Sequence, residues 1–167
     1  MKKLPLRLYI IYSAIILGGI LTDQITKLLA VKLLKPITTK PIINGVIHLT
    51  YVENRGAAFG MLADSRWVFI VISTVTIIAL CLLLYFGKIE NRLSAGAFAM
   101  IISGGIGNMI DRTLLGYVVD FIDFRLINFA VFNGADSFVC VGAGLLILSL
   151  IMDIIKESKK TKQEEQK

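Results

Sequence analysis

The stretch "WVFIVISTVTIIALCLLLYF" (67–86) contains no charged residue and runs for about the 20 positions that a helix needs to cross the hydrocarbon core of a bilayer. It reads as a membrane span. Composition agrees, since 56% of the 167 residues are hydrophobic and the mean hydropathy is +0.76, well above the range of soluble domains. Working outward, three further apolar segments reach spanning length: about 8–30, 93–112 and 135–155. The purely apolar part of the first, "LYIIYSAIILGGIL" (8–21), is too short alone, so Asp23 and Lys27 are expected to ride near the far end of the same helix. The opening "MKKLPLR" and its apolar run have the outline of a signal peptide. However, "TDQITK" interrupts the run and no small-x-small cleavage site follows.

The expected architecture is therefore an all-α membrane protein with four transmembrane helices. Residues 1–155 form the four-span unit, and 156–167 form a charged cytoplasmic tail. The net charge of +6 would point to nucleic acid in a soluble chain, but here it fits the excess of basic residues on cytoplasmic loops. Lys2, Lys3, Arg7, Lys88, Arg92, Lys156, Lys159, Lys160, Lys162 and Lys167 fall on one side. Lys32, Lys35, Lys40, Arg55, Arg66 and Arg125 fall on the other. This bias places both termini in the cytoplasm and the loop 31–66 outside. Within that loop "GVIHLTYVE" (45–53) alternates apolar and polar residues with β-branched enrichment, which predicts a strand in a small extracytoplasmic β-sheet between spans one and two. The glycine-punctuated "NRGAAFG" (54–60) is expected to lead back to the membrane.

Alternation of four spans puts one set of polar residues on a common side, whichever way the protein sits. Asp23 ends span one, Asn54 precedes span two, and Asn108, Asp111 and Arg112 end span three. Asp120 lies in the last loop, while Asn133 and Asp136 begin span four. Each alone has an ordinary explanation: Asn133 or Asp136 as a helix cap, Asp111 with Arg112 as an ion pair. Four aspartates, three asparagines and an arginine converging at one membrane face are more economically read as a shared polar site. Span two, without such groups, reads as a lipid-facing bystander. "SGGIGN" (103–108) and "VGAG" (141–144) offer small faces for close helix approach, although glycine is in any case frequent in spans.

The inventory narrows the chemistry. The single histidine, His48, rules out a two-histidine zinc motif, and no nucleophile elbow surrounds a serine. Cys81 and Cys140 lie in apolar runs and read as packing residues. Carboxylates remain. Two held close together cannot both ionise cheaply, so one keeps a proton and the pair can do aspartic-protease chemistry without metal or cofactor. Proton or cation coupling in a transporter is the alternative use, disfavoured by the lack of a visible inverted repeat.

The ordered motifs "DQITK" (23–27), "NRGAAFG" (54–60), "GNMIDR" (107–112), "VVDFIDF" (118–124) and "FNGADS" (132–137) resemble the lipoprotein signal peptidase family, also called signal peptidase II. The resemblance covers nearly the whole chain. It implies a multi-pass enzyme of the bacterial cytoplasmic membrane, an aspartic endopeptidase working at the extracytoplasmic face. Its partners would be membrane lipid and diacylglyceryl prolipoproteins, cut just before the modified cysteine, with no nucleic acid and a monomeric state. Asp120 and Asp136 match the family's catalytic pair. Asp23, Lys27, Asn54, Gly56, Ala58, Asn108, Asp111, Arg112, Asn133 and Ala135 match motif positions around it. Asp123 is expected to have a surface or supporting role, and Arg112 to brace a loop through carbonyls or a carboxylate such as Asp23.

Overall fold

The computed structural model describes residues 5–56, 65–87, 89 and 91–164. Four long helices carry the chain: α1 (Leu6–Leu33), α2 (Arg66–Phe86), α3 (Arg92–Leu114) and α4 (Gly134–Glu164). All four are long and apolar enough to cross a membrane. Three strands form one antiparallel sheet in the order β1 (Thr39–Ile43), β2 (Ile47–Asn54) and β3 (Val118–Phe124). The expected sheet between the first two spans is thus present. It gains a third strand from the last loop, where the sequence pattern places Asp120 in a mere connection.

At 28 residues, α1 rises about 42 Å. That exceeds the hydrocarbon thickness and accommodates Asp23 and Lys27 within regular helix. Leu17, Leu21, Ile25 and Leu28 are exposed on it, as befits a surface facing lipid, while Tyr12, Ile16, Asp23 and Lys27 point inward. Helix α2 is the most peripheral of the four, with Val68, Val71, Ile72, Val75 and Ile78 all exposed. It joins a core of Tyr12, Ile16, Leu84, Ala95, Ala99 and Ile102.

Helices α3 and α4 are drawn together by small residues. At Gly142 a methyl group would sit 2.9 Å from the carbonyl oxygen of Ala97 and 2.8 Å from Ile101, so only hydrogen fits. Buried Ser94 and Ser149 hydrogen-bond between the same two helices at 2.8 Å. Near the opposite end from the sheet, Asn91 caps α3 by accepting from the Leu93 amide (2.9 Å) and donates to both Asp153 oxygens (3.2 and 2.9 Å). Lys156 stands 3.9 Å from Asp153, so Asn91 is its nearer partner. The helix α4 continues through the charged segment to Glu164, with every residue from Ile151 onward exposed. Lys, Glu and Gln are good helix formers and need no tertiary support to extend a helix already begun.

The link from α3 to β3 turns sharply at Gly116, whose φ of +86° favours glycine. This turn folds β3 back over the end of α1. There Ala30 and Leu34 pack with Val119, flanked by Leu49, Tyr51, Tyr117 and Phe121. One end of the bundle therefore carries the ends of α1 and α3, the starts of α2 and α4, and the whole sheet.

Candidate active site

Asp120 and Asp136 reach the site from unrelated elements. Asp120 lies mid-strand on β3, opposite Val52 of β2, and is 1% exposed. Its Oδ2 accepts from Asn54 Nδ2 (2.9 Å) and its Oδ1 from Asn133 Nδ2 (2.6 Å). Asp136 lies in the first turn of α4. Its Oδ1 accepts from Asn108 Nδ2 (2.7 Å), and its Oδ2 from the Asn133 amide (3.1 Å). In return the Asp136 amide donates to Asn133 Oδ1 at 3.0 Å, which completes a reciprocal cap at the start of α4. Capping and membership of the site, set against each other as readings of the sequence, are here performed by the same atoms.

Asn133, fully buried, is thus the direct link between the two carboxylates. Each carboxylate oxygen has a donor aimed at it, which holds both rotamers. Burial pushes the Asp120 carboxyl up to about 7, and the negative charge of nearby Asp136 adds to the rise, while the bonds from Asn54 and Asn133 oppose it. A carboxyl that carries a proton near neutral pH beside a second carboxylate is equipped for general acid–base work.

Behind the pair lies a buried ionic knot. Lys27 Nζ contacts Asp23 Oδ2 (2.9 Å), Asp111 Oδ2 (3.0 Å) and Asn108 Oδ1 (2.9 Å), so all three ammonium hydrogens have acceptors. Asp23 Oδ1 accepts from the amide of Ala135 (2.8 Å), and Asp111 Oδ2 from the amide of Val119 (3.0 Å). Gln24 joins them by donating to Asp23, Asp111 and the Gly107 carbonyl at 3.2, 3.1 and 3.2 Å. Gln24 lies within a motif legible in the sequence, yet the motif alone assigns it no role. A long amide beside an aspartate, near membrane depth, is the signal that marks it.

Asp111 and Arg112 do not pair with each other; they serve different neighbours. Arg112 Nη2 donates to the Gly56 carbonyl at 3.2 Å, and its guanidinium lies 4.9 Å from the centre of the Phe69 ring. The loop-bracing expectation is met through a carbonyl. Asp23 is bound instead by Lys27 and Ala135. Because Phe69 belongs to α2, that helix contributes a platform for the arginine and is more than a bystander. Gly56 is buried, and its amide donates to Asn54 Oδ1 at 2.9 Å, which orients the asparagine on Asp120. Ala58 and the return loop at 57–60 lie outside the described residues. Asp123 stands apart, bound to Arg125 Nε (2.9 Å) and Thr50 Oγ1 (2.7 Å) across the sheet. His48, opposite Asp123 in register, accepts from the Gly45 amide at 3.2 Å and closes the β1–β2 turn. Among the described residues, no three His, Cys, Asp or Glu side chains are placed to share a metal ion.

Comparison with known proteins converges with this geometry. The family model described as signal peptidase (SPase) II matches residues 15–152. The lipoprotein signal peptidase of Caldanaerobacter subterraneus subsp. tengcongensis is 54% identical over 131 residues, covering 78% of this chain and 87% of that protein. The lipoprotein signal peptidase of Clostridioides difficile is 43% identical over 144 residues, covering 86% and 95%. A solved bacterial membrane enzyme superposes with a TM-score of 0.78 at 32% identity, covering 86% of this chain and 88% of its own. A second, also a bacterial membrane enzyme, gives 0.76 at 33%, covering 85% and 93%.

Proposed function

The chain belongs to the signal peptidase II family, a family of membrane peptidases, and from that premise we propose that it removes prolipoprotein signal peptides with Asp120 and Asp136 as its catalytic pair. The observation that carries the proposal is the pair itself: buried Asp120 and half-buried Asp136, from separate elements, joined through Asn133 and each gripped by donors on both oxygens.

Asp120, with its raised carboxyl, is the proton-bearing member, and Asp136 is the base. Water attacks the scissile carbonyl carbon while Asp136 takes its proton. The Asp120 proton moves to the carbonyl oxygen and stabilises the tetrahedral intermediate. Collapse breaks the C–N bond, the proton held by Asp136 goes to the departing amine, and a hydroxyl of the intermediate returns its proton to Asp120 as the new carbonyl forms. The cut falls just before the diacylglyceryl-modified cysteine, as in the family resemblance. An acylated signal peptide is itself a membrane helix, so its scissile bond lies at the bilayer boundary, level with the helix ends that build the site. The reading includes a monomeric enzyme, with the exposed apolar residues of α1, α2 and α4 in contact with lipid.

This assignment fixes a pH dependence. The acid must be protonated, and its carboxyl titrates at about 7. Processing of a diacylglyceryl prolipoprotein by the purified protein should therefore fall as pH rises above about 7. A rate that is flat from pH 6 to 9 would remove Asp120 from the acid role.

The site is proposed to face outward, with residues 1–155 spanning the membrane and 156–167 in the cytoplasm, on the strength of the basic bias. Lys40 and Lys160 are both exposed. A cysteine at position 40 should react with an impermeant thiol reagent added outside intact cells, and one at position 160 should not. The reverse pattern would invert the topology.

A further inference from the structure

The ionic knot around Lys27 has a geometry that charge neutralisation does not require. An i,i+4 contact with Asp23 would suffice to pair the ammonium on its own helix. Instead its other two hydrogens point to Asp111 and Asn108, both on α3. The three acceptors then lead to the two proposed catalytic residues by short routes. Asp23 holds the amide of Ala135, the residue immediately before Asp136. Asp111 holds the amide of Val119, the residue immediately before Asp120. Asn108 donates directly to the Asp136 carboxylate. One buried cation therefore fixes α1, α3, β3 and α4 at the points where they deliver the aspartates.

Stability alone is a poor reason for such a cluster. Buried ion pairs carry a desolvation penalty that their attraction only roughly offsets, and apolar replacements of similar volume are often no worse. Lys27 is 3% exposed and Asp23 1% exposed, so the penalty applies here in full. What an apolar core lacks is a hub that specifies the directions of three polar side chains at once.

We propose that Lys27 is the positioning residue for the Asp120–Asp136 pair, its ammonium clamping the three side chains that hold the two carboxylates in register. This rests on the reading of those aspartates as the catalytic pair. The Lys27 ammonium contacts Asp23, Asp111 and Asn108 and neither carboxylate of the pair, so its loss should act on turnover rather than on substrate binding.

Removing the ammonium alone strands two buried carboxylates, so Lys27→Met is expected to be poorly folded. The informative variant is Lys27→Met with Asp23→Asn, made in the full chain and purified in detergent. It leaves the net charge of the cluster unchanged, Asp111 keeps Gln24 and the Val119 amide as donors, and the amide oxygen introduced at position 23 still accepts the Ala135 amide. Its melting temperature should stay within a few degrees of wild type and KM should be unchanged, while kcat falls by about 100-fold, as expected when reacting groups are misplaced by the order of 1 Å. A kcat within twofold of wild type makes Lys27 a spectator and overturns the proposal. So does a rise in KM alone. Failure of the double variant to fold also overturns it, by making Lys27 a stability residue. Asp120→Asn and Asp136→Asn run in the same assay separate the two claims. If they process normally, the catalytic pair is wrong. If they are inactive while the Lys27 double variant turns over at the wild-type rate, only the role of Lys27 falls.

Discussion

Asp120→Asn and Asp136→Asn are each expected to lower prolipoprotein processing by about 10³-fold or more, the scale set by losing a general acid or base, while the protein still inserts and folds. Asparagine has nearly the same shape as aspartate, so the packing of β3 against Ala30 and Leu34 survives. What goes is the ability to carry or take up a proton. The assay is cleavage of a diacylglyceryl-modified precursor, followed by the mobility shift of the product. Normal processing by either variant would sink the mechanism.

The Asp120→Asn variant carries a second signature. Folded Asp120 titrates at about 7, against an ordinary value of 3.8. Between those values the folded state binds more protons than the unfolded one, so wild-type stability falls as pH rises through that window. The asparagine that replaces it has no such dependence. Its amide nitrogen does meet a donor from Asn54 or Asn133, which adds a cost that does not vary with pH. The difference in melting temperature should therefore move in favour of Asp120→Asn from pH 4 to pH 8, whatever its starting sign. A constant difference would mean that Asp120 is ionised throughout.

The sequence made the spans legible because lipid imposes a simple rule: runs of about 20 apolar residues, with charges at the ends. Alternation of those spans then brought Asp23, Asn108, Asp111 and Asp136 to one face without any knowledge of contacts. The β3 strand escaped notice for a physical reason. "VVDFIDF" has a buried Val118–Val119–Asp120 run, without in-out alternation, because β2 pairs with it while the end of α1 covers it. That burial is a long-range fact, and local pattern carries no trace of it. Strand β1 was hidden for another reason. Pro41 removes a ladder donor and is tolerated because β1 lies at the sheet edge. Lys27 could be placed near the membrane boundary, where lysines ordinarily reach for water. Its inward turn toward Asp111 and Asn108 depends on how closely α1 approaches α3, and no spacing along one helix reports that. The catalytic roles proposed for Asp120 and Asp136 rest on motif resemblance, since the residues alone leave a transporter open.

Gly104 offers the largest expected effect away from the aspartates. A methyl group there would overlap the carbonyl oxygen of Ala135 and come within 2.8 Å of Val139 Cγ2. The first obstacle is backbone, which cannot rotate aside as a side-chain tip can. Gly104→Ala must therefore force α3 away from the first turn of α4. One turn along α3 is Asn108, which holds Asp136 at 2.7 Å, and next to Ala135 is Asp136 itself. The strain enters where the two helices deliver a donor and its carboxylate. Overpacking of this kind typically costs about 1–3 kcal/mol of stability. Displacing reacting groups by the order of 1 Å costs about 10²-fold in rate, so kcat should fall by that factor, beyond any share of unfolded protein. Gly144→Ala on α4 is the matched control, because nothing lies within 4 Å of the added methyl. It should leave both melting temperature and processing rate at wild-type values. If Gly104→Ala processed precursor as fast as Gly144→Ala, the close approach of α3 and α4 would not set the geometry of the aspartate pair.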